Sequence, residues 1–98
     1  MIAILTGDII HSKKIATEIW LPILEKSLSK FGQKPKFWDI YRGDSFQLET
    51  NIENALIATL SIISAIKQVP KIDVRISIGI GEKDLLEIFD VFYLSVYL

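Results

Sequence analysis

Two Gly-Asp steps, Gly7-Asp8 and Gly43-Asp44, are the residues best placed to do chemistry in this chain. The first follows the apolar run Ile2-Ala3-Ile4-Leu5. The second falls between two strand-like stretches, residues 37–41 and 45–49. If each pair ends a strand of one sheet, two carboxylates meet at a single sheet edge. Mg²⁺ and Mn²⁺ prefer oxygen ligands, usually one or two carboxylates completed by water and substrate phosphate. The residues after Asp8 lead toward a helix start, whose free N–H groups attract anions. Lys13, Lys14 and Arg42 are close by in sequence and suit phosphate, with Gly7, Ser12 and Gly43 beside them. The chemistry expected there is binding of a divalent metal and a nucleotide phosphate. Two carboxylates ~5 Å apart would repel by roughly 3 kcal/mol at an effective dielectric of 20, so a cation would be welcome. The competing reading makes Asp8 a turn cap and Asp44 an ordinary hairpin residue.

The elements that must position these residues follow from the hydrophobic pattern. Residues 1–6 form a short apolar strand, with a turn over residues 7–11. Ser12 is a candidate cap for the helical segment after it. Pro22 costs ~3 kcal/mol in a helix interior, which places the main helix start near Leu21-Pro22, with Pro22 in the first helical position. Leu24, Leu28 and Phe31 keep helical spacing up to a stop at Gly32. Two strands then flank Gly43-Asp44 as a hairpin, because a Gly-Asp step tolerates positive φ. Thr50 and Glu53 fit a capping box that opens a second helix, running to about Lys67 or Gln68. From Asn54 to Ile66 that helix carries no charge, so the sheet and something else should cover it on more than one side. Ile72, Val74, Ile76, Ile78 and Ile80 then alternate with polar or small residues, the cleanest strand signal in the chain.

Strand, helix, strand, strand, helix, strand is the split βαβ pattern. A right-handed crossover predicts an α+β, ferredoxin-like βαββαβ sandwich: an antiparallel sheet in the order 4-1-3-2, with two helices on one face. That topology brings the end of strand 1 beside the hairpin, and so Asp8 toward Asp44.

Bulk properties narrow the rest. The 98 residues make one domain, half of them hydrophobic, with 11 Lys and Arg against 12 Asp and Glu. The charges are dispersed. No basic stripe points to direct nucleic-acid binding. There is no cysteine, and no basic-then-apolar leader is evident at the N-terminus, which suits a cytoplasmic protein. Residues 85–98 are apolar except for Glu87, Asp90 and Ser95, and fall short of the ~20 residues that span a bilayer. Residues 1–84 read as the domain. The tail reads as a helix or an aromatic-rich strand, and its apolar character suggests truncation or a shifted frame. His11 reads as a solvated loop residue, and Trp20 and Trp38 as core or interface rather than stacking platforms.

The blocks MIAILTGDIIHS, WDIYRGDSFQLE and IDVRISIGIGE together resemble the N-terminal part of bacterial SatD-family proteins, over roughly residues 1–84. The layout is similar to the palm of class III nucleotidyl cyclases and GGDEF diguanylate cyclases. That resemblance implies two metal ions, Mg²⁺ or Mn²⁺, and a purine nucleotide. It matches Asp8 to the first metal aspartate, Ile9 to a residue lending its backbone carbonyl, and Asp44 to the hairpin aspartate. Gly43-Asp44-Ser45-Phe46 departs from the GGDEF hairpin at Ser45, where the second acidic residue should stand. No lysine precedes the hairpin for base selection, and the transition-state Asn and Arg of class III cyclases have no counterpart. The resemblance therefore implies a degenerate metal- and nucleotide-binding regulatory domain rather than a working cyclase. The alternative is a noncatalytic homodimerisation or protein-interaction module, favoured by the charge-free helix and the small-residue face Ser77, Gly79, Gly81.

Overall fold

The computed structural model describes residues 1–82 and the strand at residues 93–96. The elements in order are β1 (Ile2–Ile10), a 3₁₀ turn (Ser12–Lys14), α1 (Thr17–Ser29), β2 (Trp38–Tyr41), β3 (Ser45–Asn51), α2 (Ile52–Ile66), β4 (Asp73–Gly81) and β5 (Tyr93–Val96). All neighbouring strands pair antiparallel, in the order β2-β3-β1-β4-β5. Read from β4, the first four strands have the expected order 4-1-3-2. β5 extends the sheet beyond β4, so Tyr93–Val96 of the tail takes the strand alternative. The remaining expectations for residues 85–98 lie outside the described residues.

Alternation sorts the sheet into two faces. Ala3, Leu5 and Ile9 of β1 share one face with Phe46 and Leu48 of β3 and Val74, Ile76 and Ile78 of β4, all of them buried. Trp20, Leu24 and Leu28 of α1, spaced four apart, join the same core, as do Ala55, Ala58, Ile62 and Ile66 of α2. Both helices therefore cover this face. They approach closely at Ser27 and Ser61, whose hydroxyl oxygens are 3.5 Å apart. The opposite face carries Thr6, Asp8, Gln47, Asp39, Arg75 and Ser77.

Three local expectations are corrected. The first Gly-Asp step is no turn: β1 continues through Gly7 and Asp8 to Ile10. A Cβ on Gly7 would stand 2.2 Å from the Phe46 ring, so this glycine lets a buried aromatic cross the strand. Pro22 lies inside α1, not at its first position, because the helix begins at Thr17. Its missing N–H leaves the carbonyl of Glu18, an exposed residue that water reaches. The earlier start buries Trp20 to 1% exposure. Burying an indole is worth roughly 4 kcal/mol by area, enough to offset the ~3 kcal/mol proline penalty. Ser12 does not cap α1. The cap position is Ala16, with no side-chain hydrogen bond.

At α2 the cap is Asn51, one residue after the expected Thr50. Its Oδ1 accepts the Asn54 N–H at 2.9 Å. Thr50 belongs to β3, opposite Ala3. Asn51→Ala is expected to cost about 1 kcal/mol, lowering Tm by about 4–8 °C. Thr50→Val, which keeps the branched strand side chain and removes the hydroxyl that a capping box needs, is expected to leave Tm nearly unchanged. Thermal unfolding of the two variants checks the assignment, and the reverse ranking would restore the capping box. The charge-free helix is covered by the sheet and by α1, yet Leu56, Ile57 and Leu60 stay 59%, 60% and 44% exposed. Among the described residues no helix is long and apolar enough to cross a membrane.

Candidate functional site

The β2–β3 hairpin turns through Arg42, Gly43 and Asp44, since Tyr41 pairs directly with Ser45. Arg42 (φ 56°) and Gly43 (φ 82°) are both left-handed. The positive φ therefore falls on the Arg-Gly step rather than the Gly-Asp step. Asp44 is delivered to the end of β1, where its carbonyl accepts the Ile9 N–H at 2.9 Å. That bond extends the β1–β3 ladder and holds the two Gly-Asp main chains side by side. To this extent the topological convergence is met.

The two side chains part company. Asp44 is half-buried on the helix side, where the Ser12 hydroxyl donates to its Oδ2 at 2.8 Å. Among the described residues its Oδ1 accepts no hydrogen bond. Ser12 is held in turn by Trp20, whose indole N–H donates to the Ser12 carbonyl at 3.3 Å. Asp8 projects to the open face, because β1 keeps its alternation past the expected turn and Ile9 faces the core. Its carboxylate pairs with Arg75 of β4, its register partner. Nη2 lies 3.2 Å from Oδ2, and Nε lies 3.4 Å from Oδ1. The Arg75 and Asp8 side chains are 59% and 39% exposed, so the pair is worth at most about 1 kcal/mol and opens readily. Each aspartate thus has a donor of its own in place of the bare mutual repulsion expected from sequence.

A cavity of about 390 Å³ opens around Asp44. Ser12, Lys13, Arg42, Gly43 and Asp44 line it, with Trp20 as its apolar wall and Ala16 and Thr17 at the start of α1. Lys13 and Arg42 form no ion pair among the described residues, nor does Lys14. Two unpaired cations, one carboxylate and the uncapped N–H groups of a helix start thus face one space. That combination suits a phosphate group carrying a divalent ion. Lys14 closes the 3₁₀ turn through its N–H to the His11 carbonyl and is exposed. Gly7 and Ile9 lie in the core layer and shape the site only through the main chain. A second cavity, about 400 Å³, lies on the open face between Ile4, Phe37, Asp39, Tyr41, Gln47 and Glu49. It takes none of the candidate residues, and its Asp39 already bridges to Lys34 at 4.0 Å.

Among the described residues no three His, Asp or Glu side chains gather as a ready-made metal cage. The donor set fits a different kind of site, in which Mg²⁺ or Mn²⁺ is held by one or two carboxylates and completed by phosphate and water. Arg75, which holds Asp8 on the open face, is the contact that sequence reasoning missed. The signal was present: in a 4-1-3-2 sheet β4 lies beside β1, and Arg75 is the one basic residue in the alternating run of β4.

Comparison with protein-family models, curated proteins and solved structures returns no match.

Proposed function

We propose that this chain is a divalent-metal-dependent nucleotide-binding regulatory domain of the SatD type, built on a ferredoxin-like frame and degenerate relative to the nucleotidyl cyclases. One observation carries the reading. Of nine candidate residues named from sequence, Ser12, Lys13, Arg42, Gly43 and Asp44 line a single cavity. In this reading Lys13, Arg42 and the start of α1 receive the phosphates of a purine nucleotide. Asp44 is the one carboxylate placed to hold Mg²⁺ or Mn²⁺ there, with phosphate and water completing the shell, since Asp8 stands on the opposite face beside Arg75. The metal would neutralise phosphate charge and orient the phosphate chain. Ser45 in place of a second hairpin carboxylate weakens the case for transfer chemistry and leaves that for binding.

The test is thermal unfolding with Mn²⁺ and GTP or ATP. Ligand at a hundred times its Kd adds about 2.7 kcal/mol, a rise in Tm of about 10–20 °C for a domain of this size. The rise is expected in the wild type and lost in Asp44→Asn, which can still accept the Ser12 hydroxyl and keep the loop folded. A wild type indifferent to both metal and nucleotide sinks the reading.

The exposed row Leu56, Ile57 and Leu60 favours a second reading, a noncatalytic module that self-associates through α2. Sedimentation equilibrium decides it: a dimer that Leu56→Glu dissociates supports this reading, and a monomer at every concentration removes it.

A further inference from the structure

We propose that the cavity around Asp44 is an anion site before it is a metal site: Arg42 and Lys13 take a polyphosphate without any metal, and a divalent ion enters only on that phosphate. This rests on the nucleotide reading above and states the order in which the same site fills. The charged side chains lining the cavity are Lys13, Arg42 and Asp44, two cations against one carboxylate. One Asp44 oxygen already accepts the Ser12 hydroxyl at 2.8 Å. A bare Mg²⁺ or Mn²⁺ would therefore meet one open carboxylate oxygen and two positive charges, a poor exchange for its water shell. A polyphosphate meets the opposite balance. Neither cation has an ion pair among the described residues, and a guanidinium fork suits phosphate oxygens. Once bound, the phosphate supplies the oxygen ligands and the negative charge that the protein lacks, and the metal can follow.

The backbone bears a trace of this task. Arg42 stands at φ 56°, in the left-handed region that glycine, asparagine and aspartate enter readily and a long side chain does not. A residue kept there persists because packing fixes it or because its side chain is needed. Packing does not fix this one: Arg42 is exposed, and a Cβ on Gly43 beside it would meet nothing within 4 Å. His11, which leads into Ser12 and Lys13, is left-handed too, at φ 61°. Both chain segments that bring a cation to the cavity thus hold a non-glycine residue in this region.

The experiment is equilibrium dialysis of the full chain against inorganic triphosphate with EDTA, against Mn²⁺ alone, and against both. Triphosphate is expected to be retained without metal, Mn²⁺ alone not to be retained through Asp44, and the two together to be retained in equal amounts. Arg42→Gly should weaken metal-free triphosphate binding about three- to tenfold, the scale of one charged contact at an exposed site. The same variant should raise Tm by about 2–6 °C, because the left-handed backbone is relieved. An arginine serving only the turn would move neither quantity in that direction. Arg42→Lys keeps the charge and the strain but loses the fork, so it should bind with intermediate affinity and melt with the wild type. If triphosphate is retained only when Mn²⁺ is present, or Mn²⁺ alone is retained in an Asp44-dependent way, the order is wrong and only this inference fails. An Arg42→Gly that keeps the wild-type affinity, or melts below the wild type, also overturns it. If neither ligand is retained, alone or together, the inference and the nucleotide reading fall together.

Discussion

Gly7→Ala is expected to destabilise the domain by about 2–3 kcal/mol, and Gly7→Val to leave no folded protein. The added Cβ would lie 2.2 Å from Cζ of Phe46, 2.6 Å from Cε1 and 2.9 Å from Cε2. Carbon atoms settle at about 3.5–4.0 Å, so the ring would have to move by roughly 1.3 Å. Phe46 is fully buried, and Gly7 sits in the strand paired on both sides, opposite Phe46 in β3 and Ile76 in β4. Neither the ring nor the strand has room to yield. A domain of this length has about 5–15 kcal/mol in total, so the loss should appear as a fall in Tm of about 10–20 °C. Urea unfolding measures it directly. Phe46→Leu in the Gly7→Ala background should recover part of the loss, a coupling of about 1 kcal/mol or more for residues in contact. An unchanged urea midpoint for Gly7→Ala would mean that Phe46 does not cross β1 at this position.

Trp20→Ala should cost about 3–5 kcal/mol, and at the upper end leaves little folded protein at 37 °C. The indole is almost fully buried, and its N–H ties the Ser12 carbonyl to α1. Ser12 in turn donates to Asp44, and Trp20 walls the cavity. Stability and ligand binding should therefore fall together. Trp20→Phe separates the two contributions. It keeps most of the buried surface while removing the donor and part of the ring volume, so it should cost less than Trp20→Ala in a calorimetric scan while still loosening the Ser12–Asp44 contact. If Trp20→Phe retains full metal and nucleotide response, the Trp20–Ser12 bond does not organise the site.

These two residues show where the pattern of residue types was sufficient and where it was not. Trp20 was legible as core, but its helix was not legible at its true start. A local penalty at Pro22 argued for a later beginning, and the burial of a side chain two residues earlier outweighed it. Gly7 was legible as special for the wrong reason. A glycine before an aspartate looks like a turn, and only the long-range crossing of Phe46 makes it a strand residue. The alternation Ala3, Leu5, Ile9 was the available clue, interrupted by the very glycine that the packing requires.

The same slip governs the site. Ending β1 at Thr6 would leave Asp8 free in a loop and able to meet Asp44. Running β1 to Ile10 subjects Asp8 to the period of two, which aims its side chain away from Ile9 and the helices and toward Arg75. Asp44 escapes this rule because it stands in a hairpin loop.

By itself the sequence determined the element order, the hairpin that carries Asp44, the strand-4 alternation and the approach of the end of the first strand to that hairpin. These are set by local periodicity and by topological rules that need no coordinates. Tertiary structure decided the true end of β1, the start of α1, the cap at Asn51 and the pairing of Asp8 with Arg75. Each of those turns on a contact between residues distant in sequence or on a balance of a few kcal/mol between local cost and burial. A pattern of residue types carries neither.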